Sequence, residues 1–318
     1  MVKVLKAKER GVALLVVLLG VALLTLIIVD FCTTAALGYL SAANQANELR
    51  AYFLARSGVA VGLGLLAEDS RLDSAMQTPY DSLQDVWAVP FPPVNVDGGT
   101  ASIAIVDEAR KINLNQLINA NNGELNPDFA LVLQRLFTLV GVDPQIIPAI
   151  ADWIDADSMP SGEGGAEMDY YMRLMPPYAP RNGPMPTIGD LKMIRGVDDA
   201  TFNRLLPFVT VEPEMQVNVN TAPPEVLAAL SPALFANPDL VKAIVTARMI
   251  RPFSNMTDVG NIPGVGQYIT DLSKVLTTRS NFFTINGMGT FAGARKLVHS
   301  TFRRQPNGVG LLIAWQED

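Results

Sequence analysis

The hydrophobic pattern begins with a short basic segment followed by a long apolar run. Lys3, Lys6, Lys8 and Arg10 precede residues 11–29, which contain no charged side chain. A run of this length can cross a bilayer as a helix, and basic residues on its N-terminal side place that end in the cytoplasm. A cleavable secretory signal would have a shorter apolar core and an Ala-x-Ala-like exit. The pattern therefore predicts a single-pass membrane helix with the remaining chain outside.

The helical pattern continues beyond the part that a membrane would cover. After Asp30 the next charged residue is Glu48, and residues 48–68 carry apolar side chains at helical spacing. Read as one helix, residues 12–67 would be about 84 Å long at ~1.5 Å per residue. We expect the first part of this helix to lie in lipid or in a filament core, and the last third to pack against a globular head.

Strand patterns occur on both sides of the middle of the chain. Residues 94–107 alternate around Asp97-Gly98-Gly99, which is a strong hairpin signal. Residues 111–114 add a further short strand to the same sheet. The strand pattern returns in residues 282–285, 294–303 and 309–315, the last two joined by a turn at Pro306, Asn307 and Gly308. We expect one sheet built from early and late strands, with the residues between them inserted.

Between these strands the apolar spacing is helical and is broken by glycines and prolines. A first set of predicted helices covers residues 130–140, 146–154, 187–195 and 200–209. A second set covers residues 225–230, 240–249, 256–262 and 268–275. Similar stretches, Ile-Asn-Leu-Asn at 112–115 and Val-Asn-Val-Asn at 217–220, precede the two sets, which indicates a weak internal repeat.

These patterns predict an α+β fold with six consecutive segments. They are a basic leader (1–11), an N-terminal helix (12–67), the first part of a sheet (68–114), a first helical domain with an acidic loop (115–211), a second helical domain (212–278) and C-terminal strands that complete the sheet (279–318).

Composition narrows the possible functions. The net charge of −7 argues against a nucleic-acid surface, which is normally basic. Cys32 is the only cysteine and His299 the only histidine, so an intrachain disulfide, a zinc site, a Cys–His dyad and a Ser–His–Asp triad are all disfavoured. We expect His299 to be an ordinary polar residue on a strand, and the protein not to be an enzyme.

The most distinctive chemistry is a dense acidic loop without lysine or arginine. Its carboxylates are Asp152, Asp155, Asp157, Glu163, Glu167 and Asp169. Carboxylates this close together repel one another unless they are solvated or bind a cation. Calcium is a suitable cation because it accepts many oxygen ligands in irregular geometry. Glycines at 162, 164 and 165 would let the backbone turn tightly. The spacing is not that of an EF-hand, so a bare solvated loop is an equal alternative, and a catalytic carboxylate pair is a weaker one.

Two glycine turns resemble helix-hairpin-helix modules. They are Gly264-Val265-Gly266 and Gly196-Val197-Asp198, and the Asn218–Ala222 stretch resembles a segment that precedes such hairpins in some DNA-uptake proteins. These modules bind phosphates through backbone and basic side chains. The nearby basic residues are few, namely Lys242, Arg248, Arg251 and Lys274. We therefore favour a turn that joins packed helices, with membrane-tethered DNA uptake as the alternative function.

The N-terminus resembles the substrates of prepilin peptidase, the type IV pilins and secretion pseudopilins. The resemblance implies cleavage after Gly11, so that Val12 becomes the N-terminus, and methylation; a plain signal anchor is the alternative. Most members have Phe or Met at that position and Glu at the fifth mature residue, where this chain has Val12 and Val16. Lack of that glutamate is a feature of the general secretion pathway protein K family. A carboxylate in lipid is costly unless it is paired. In ordinary subunits it pairs with the N-terminal amine of the subunit above, and a subunit at the tip has no subunit above it.

Segments far along the chain resemble the helical insert of the same family. They are Asp152-Trp153-Ile154-Asp155, Gly165-Ala166-Glu167, Tyr170-Tyr171, residues 191–195 and residues 207–211. The resemblance implies a pilin-like helix and antiparallel sheet interrupted by a large helical insert, SAM-like or helix-hairpin-helix-like, that binds calcium. The implied ligands are Asp155, Asp157, Glu167 and Asp169, with Glu163 and backbone oxygens as further candidates. Asp152 is expected instead to cap or pair locally.

The resemblance also implies a function, a set of partners and a location. The chain is identified as a non-enzymatic minor pseudopilin of type II secretion that starts and caps the periplasmic pseudopilus. Its implied partners are the minor pseudopilins I and J, the major pseudopilin, prepilin peptidase and the bacterial inner membrane, with no nucleic acid. The head would lie in the periplasm.

Overall fold

The computed structural model describes residues 2–77, 80–305 and 310–317, with side-chain detail from residue 11 onward. Its longest element is helix α1, Val2–Met76, which extends past the predicted end at residue 67. This extension contains no glycine or proline, and Arg71 donates to both carboxylate oxygens of Glu68 at 2.8 and 2.6 Å, a pairing that supports a helix. The predicted turn at Pro306, Asn307 and Gly308 lies outside the described residues.

The apolar half of α1 is exposed. It is long and apolar enough to cross a membrane by length and composition, and its side chains pack against nothing else in the described chain. Val16, for example, is 62% exposed. The globular part begins to cover the helix only near Ala51, which is fully buried. The expected division between an apolar part and a packing part is therefore confirmed.

The middle of the described chain contains two-residue strands, and the longer strands, apart from the three-residue β1, lie on either side of them. In chain order the strands are β1 (Val94–Val96), β2 (Gly99–Asp107), β3 (Ile112–Asn113), β4 (Val209–Thr210), β5 (Val217–Asn218), β6 (Leu276–Thr277), β7 (Phe282–Phe291), β8 (Ala294–Arg304) and β9 (Gly310–Glu317). An antiparallel five-stranded sheet has the order β1-β2-β7-β8-β9. The predicted sheet of early and late strands is thus confirmed, with His299 on β8 beside Asn286.

Helix α1 packs across this sheet through unusually close contacts with β7. A Cβ atom at Gly287 would clash with the carbonyl oxygen of Ala55, and one at Gly289 with that of Ala51. Glycine is required at both positions because the helix backbone occupies the space of a side chain. The core between helix and sheet is apolar and contains Ala55, Val59, Leu66, Trp87, Phe283, Ile285, Val298 and Phe302.

The remaining helices belong to the insert between β2 and β7. They are α2 (Pro127–Val140), α3 (Ile147–Ile154), α4 (Met168–Tyr171), α5 (Asp199–Leu205), α6 (Pro224–Leu230), α7 (Pro232–Ala236), α8 (Pro238–Ile250), α9 (Met256–Gly260) and α10 (Ile269–Val275). Most predicted helices are confirmed within a few residues. The segment predicted as a helix at 187–195 is instead a 3-10 helix, Ile188–Met193. One continuous apolar core, including Leu136, Ile150, Leu191 and Leu227, joins both helical domains.

Two predictions at the start and end of the first helical domain are wrong. Residues 111–114 do not join the main sheet, because Ile112–Asn113 pairs in parallel with Val209–Thr210. The helix predicted at 200–209 ends at Leu205, since Val209 belongs to that pair. The cause is a turn: Asp107 accepts a hydrogen bond from the Ala109 amide at 2.8 Å, which starts a 3-10 helix that leads the chain off the sheet.

The weak internal repeat has a structural counterpart. Strand β3, at the first Asn-rich stretch, pairs with β4, and β5, at the second, pairs in parallel with β6. Each helical domain is therefore closed by a two-residue parallel pair whose first strand is the repeated sequence. Asn113 and Asn218 are equivalent in this respect, since each accepts from the amide two residues ahead, at 3.0 and 2.9 Å.

The insert lies beyond the end of the sheet that is farther from the N-terminus. Along β7, Gly289 faces Ala51, Gly287 faces Ala55 and Ile285 contacts Gly62. Strand β7 therefore begins near the C-terminal part of α1. The insert enters after Asp107 and leaves before Phe282, and Asp107 is paired beside Phe283. If the N-terminal part of α1 lies in a membrane, the insert is at the membrane-distal end.

Candidate metal centre

Asp152 organises the acidic loop from inside helix α3. It is fully buried, and its two carboxylate oxygens accept hydrogen bonds from the amides of Ser161 at 2.7 Å and Ala166 at 2.6 Å. These bonds fold the loop back over the end of the helix that precedes it. Local pairing of Asp152 is as expected from the sequence, and it removes this residue from the set of free carboxylates.

Three of the predicted ligands converge on one point. Asp155 caps the end of α3 and is 7% exposed, Glu167 precedes α4 and is 5% exposed, and Asp157 lies on the surface between them. One oxygen of each carboxylate lies within 4.8 Å of the others. Glu163 and Asp169 are exposed and outside this group, so ligation by these two stays a prediction that the geometry does not favour.

Glycines shape the loop around these carboxylates. Gly162 and Gly164 have φ angles of 105° and 99°, a conformation that side chains rarely adopt. Gly165 has a different role, because a Cβ there would lie 2.5 Å from an Asp152 oxygen. The expectation that glycines let the backbone turn tightly is confirmed at Gly162 and Gly164.

Two of the three converging carboxylates have buried oxygens without a hydrogen-bond partner in the described chain, whereas Asp157 accepts from the Met159 amide at 2.7 Å. Asp155 Oδ1 and both Glu167 carboxylate oxygens are buried without a hydrogen bond. Buried carboxylates without a hydrogen bond or counter-charge are costly. Burial, followed by repulsion from Asp157 and Asp152, raises the pKa of Asp155 to about 6. Burial and the same kind of repulsion, led by Asp152, raise the pKa of Glu167 to about 7. This arrangement suits a divalent cation with oxygen ligands.

Arg195 contacts the loop but does not pair with these acids in the described chain. The Arg195 guanidinium donates to the Gly165 carbonyl oxygen at 2.9 Å and lies over the Tyr170 ring at 5.0 Å. Beneath the loop, Trp153 and Tyr171 pack edge to face with ring centroids 5.3 Å apart. The loop is therefore held on a rigid aromatic base, while its inward carboxylates remain available to a metal ion.

A second acidic group was not predicted from the sequence. Asp69, Asp81 and Asp85 each place an oxygen within 4.8 Å of the others. Here Arg304 pairs with Asp81 and, at 3.0 Å, with Asp69, so an internal cation supplies the counter-charge. Burial raises the pKa of Asp69 to about 7 despite Arg304. Arg304 is distant in sequence from the three aspartates, and no motif links them.

The helix-hairpin-helix interpretation leaves little unpaired basic surface, although Lys242 and Arg251 are exposed. Gly196 and Gly264 both adopt φ of 83° and join packed segments, as expected for simple turns. Arg248 is buried and donates to the Val219 carbonyl oxygen at 2.6 Å, and Lys274 pairs with Asp271 at 2.8 Å. The basic surface needed for phosphate binding is thus reduced further.

The predicted processing residues lie on the exposed part of α1. Gly11 and Val12 are in continuous helical backbone, and nothing packs against them in the described chain. Cleavage between them stays a prediction.

Family models and relatives agree over nearly the whole chain. Two models of type II secretion system protein K match residues 110–214 and 217–279. The type II secretion system protein K of Pseudomonas aeruginosa is 31% identical over 308 residues, covering 94% of this chain and 90% of its own length. That of Klebsiella pneumoniae is 30% identical over 328 residues, covering 98% and 99% respectively.

A solved structure confirms the fold. The crystal structure of the GspK–GspI–GspJ complex from enterotoxigenic Escherichia coli contains a chain that matches with a TM-score of 0.72 and 19% identity. The match covers 87% of this chain and 99% of that one. The expected architecture of a long helix, an antiparallel sheet and a helical insert is therefore confirmed. On the sequence matches, the chain belongs to the type II secretion system protein K family.

Proposed function

We propose that this minor pseudopilin starts and caps the periplasmic pseudopilus of a type II secretion system, together with minor pseudopilins I and J. One observation carries the proposal: the helical insert lies beyond the end of the sheet opposite the apolar N-terminus. In a filament whose subunits stack along their N-terminal helices, this insert would occupy the space of the next subunit. A chain with such an obstruction fits only at the tip.

The membrane part of the chain supports the same position. Val16 stands where pilin-like subunits carry a glutamate, and it lies in the exposed apolar part of α1. An apolar side chain needs no partner in lipid. We infer that prepilin peptidase cleaves after Gly11, that α1 anchors the chain in the inner membrane and that the head lies in the periplasm. The major pseudopilin would then assemble beneath this subunit in the pseudopilus.

The acidic loop supports a structural calcium ion in the head. Asp155, Asp157 and Glu167 supply carboxylate oxygens of the kind that calcium takes. The ion would neutralise buried negative charge and hold the loop against α3 and α4. No step of chemistry is assigned to it, because the proposed role of the protein is assembly.

The DNA-uptake alternative gains no support from the family matches or from the surface. Its basic residues are few, and Arg248 is buried. Tight binding of duplex DNA at low salt would favour that alternative against the present proposal.

Excision of the insert tests the proposal. A variant that joins Asp107 to Phe282 through a short turn keeps the paired strands β2 and β7. We expect it to reach the membrane but to lose the ability to support secretion in a strain lacking the wild-type gene. A matched control keeps the whole insert and carries Asp239→Asn on the exposed surface of α8. Normal secretion by the excised variant would overturn the capping role.

A further inference from the structure

The insert is attached to the sheet by a narrow connection. It enters after Asp107 at the end of β2 and leaves through residues 280–282 at the start of β7, and these strands are neighbours. We call residues 280–282 the exit segment, and Asp107 together with the exit segment the neck. Two adjacent strand ends alone would form a hinge, about which the insert could tilt relative to α1.

Asp107 ties both sides of the neck to the body of the insert. It is 1% exposed. Its Oδ2 accepts hydrogen bonds from Thr221 Oγ1 at 2.5 Å, Ser280 Oγ at 2.8 Å and Asn218 Nδ2 at 3.4 Å. Its Oδ1 accepts from the Ala109 amide. One carboxylate thus joins the end of β2, the exit segment and the first turn of the second helical domain.

Two further carboxylates hold the exit segment from other directions. Asp81 is fully buried, and its Oδ2 accepts from the Ser280 amide at 2.8 Å while its Oδ1 accepts from Arg304. Glu214 is 8% exposed, and its Oε1 accepts from the amides of Asn281 at 2.6 Å and Phe282 at 3.0 Å. Every residue of the exit segment is therefore bonded to one of the three acids.

Three buried acids at the neck add little stability, but their hydrogen bonds can fix the orientation of the insert relative to the sheet. Buried carboxylates lose hydration, and apolar residues of the same size often stabilise a protein as well or better. Burial is the main reason that the pKa of Asp107 is raised to about 7, against the effect of the Thr221 and Ser280 hydroxyls. Hydrogen bonds to a shared oxygen, however, are satisfied in only one relative orientation of the segments that donate them.

We propose that Asp81, Asp107 and Glu214 are positioning residues that lock the helical insert in a single orientation over the membrane-distal end of the sheet. The value of this lock for capping rests on the proposed function. The lock itself is a property of the isolated chain and can be measured without secretion.

The test measures the orientation of the insert by electron–electron distances between two spin labels. The full chain in detergent carries Cys32→Ser, Thr246→Cys on α8 and Arg295→Cys on β8, both label sites being exposed. We expect one narrow distance distribution. Thr221→Val keeps the shape of the side chain but removes one donor to Asp107, and Asp107→Asn replaces an acceptor by a donor. Each should at least double the width of the distribution or add a second maximum.

Thr284→Val is the matched control, because Thr284 lies on β7 close to the neck, yet its hydroxyl pairs with that of Thr301 and with none of the three acids in the described chain. It should leave the distribution unchanged. If Asp107→Asn fails to fold, Thr221→Val and Ser280→Ala decide. A fall in melting temperature with an unchanged distribution in these variants would show that the contacts merely stabilise the chain, and would overturn the proposal. Because no secretion is measured, this result is independent of any failure of the capping role.

Discussion

Asp155 and Glu167 are ionisable groups held where water cannot solvate them. Their pKa values in the folded chain, about 6 and about 7, lie above the ordinary carboxylate range. Without a metal, these groups contribute most to stability when protonated. This contribution is complete below the ordinary carboxylate pKa of about 4 and is lost as the pH rises from there to the folded values of about 6 and about 7. A bound cation reverses the preference, because it binds the ionised form.

At this scale, Glu167→Gln should have opposite effects with and without calcium. In chelator the variant should melt at a higher temperature than the wild type near pH 8, because a buried unpaired charge is removed. In millimolar calcium it should lose most of the increase in melting temperature that the wild type shows, since binding to the folded state stabilises by mass action.

Glu163→Gln is the control, because Glu163 is exposed and outside the convergent group. It should retain the calcium-dependent increase. Equal loss in both variants would contradict the ligand set read from the geometry.

Protons should compete with calcium at the same oxygens. Between pH 8 and pH 5.5 the apparent calcium affinity of the wild type should fall at least tenfold, because Asp155 and Glu167 both take up protons in this range. Calorimetric titration at several pH values measures this. A pH-independent affinity would place the metal on other groups.

At the scale of elements, the contact between α1 and β7 depends on missing side chains. Gly289→Ala should destabilise the folded head by about 1–3 kcal/mol, since the added methyl group meets the helix backbone and must push the two elements apart. Chemical denaturation monitored by tryptophan fluorescence reports the change, because Trp87 is in the core between helix and sheet.

A matched glycine-to-alanine substitution on helix α1 should change stability in the opposite direction. Gly64 has open space around its Cβ position, so Gly64→Ala should stabilise the helix by about 0.5–1 kcal/mol. Destabilisation by both substitutions would mean that helix packing differs from the structure described.

Sequence patterns predicted elements well where the signal was local. Helix α1 follows from unbroken helical spacing, and β1 and β2 follow from the Asp97-Gly98 turn. The strand pairing of residues 111–114 could not be predicted from the sequence, because a two-residue strand is decided by its partner, here at Val209, nearly a hundred positions away. Gly287 and Gly289 lie beyond the strand predicted at 282–285, and no local pattern indicates that the helix approaches the sheet at these two positions.

The candidate site was predicted in part for the same reason. Asp155, Asp157 and Glu167 were found because they lie close together in sequence within one loop. The geometry separates them from Glu163 and Asp169 only through burial and loop direction, which spacing does not encode. The Asp69, Asp81 and Arg304 cluster and the neck join segments that are distant in sequence, so no local pattern could have indicated them.

For the whole molecule, the position of the chain in a filament should depend on the residue at position 16. Val16→Glu places a carboxylate in the exposed apolar part of α1, where an unpaired charge is costly. We expect it to impair secretion in a complementation assay, whereas Val16→Leu should behave like the wild type. Full secretion by the glutamate variant, at equal protein level, would show that the role at the tip does not require an apolar residue at position 16.

The adjacency of β2 and β7 also dictates the order in which the molecule can fold. Strand β2 ends at Asp107 and its partner β7 begins at Phe282, so the sheet closes across a very long loop, which is slow when the loop is an open chain. The insert shortens that loop once its own core has formed, because it brings its two ends together. We therefore expect the helical domains to form first and to act as the template on which the sheet is completed. Until then the β1–β2 hairpin lacks its partner strand along the edge of β2.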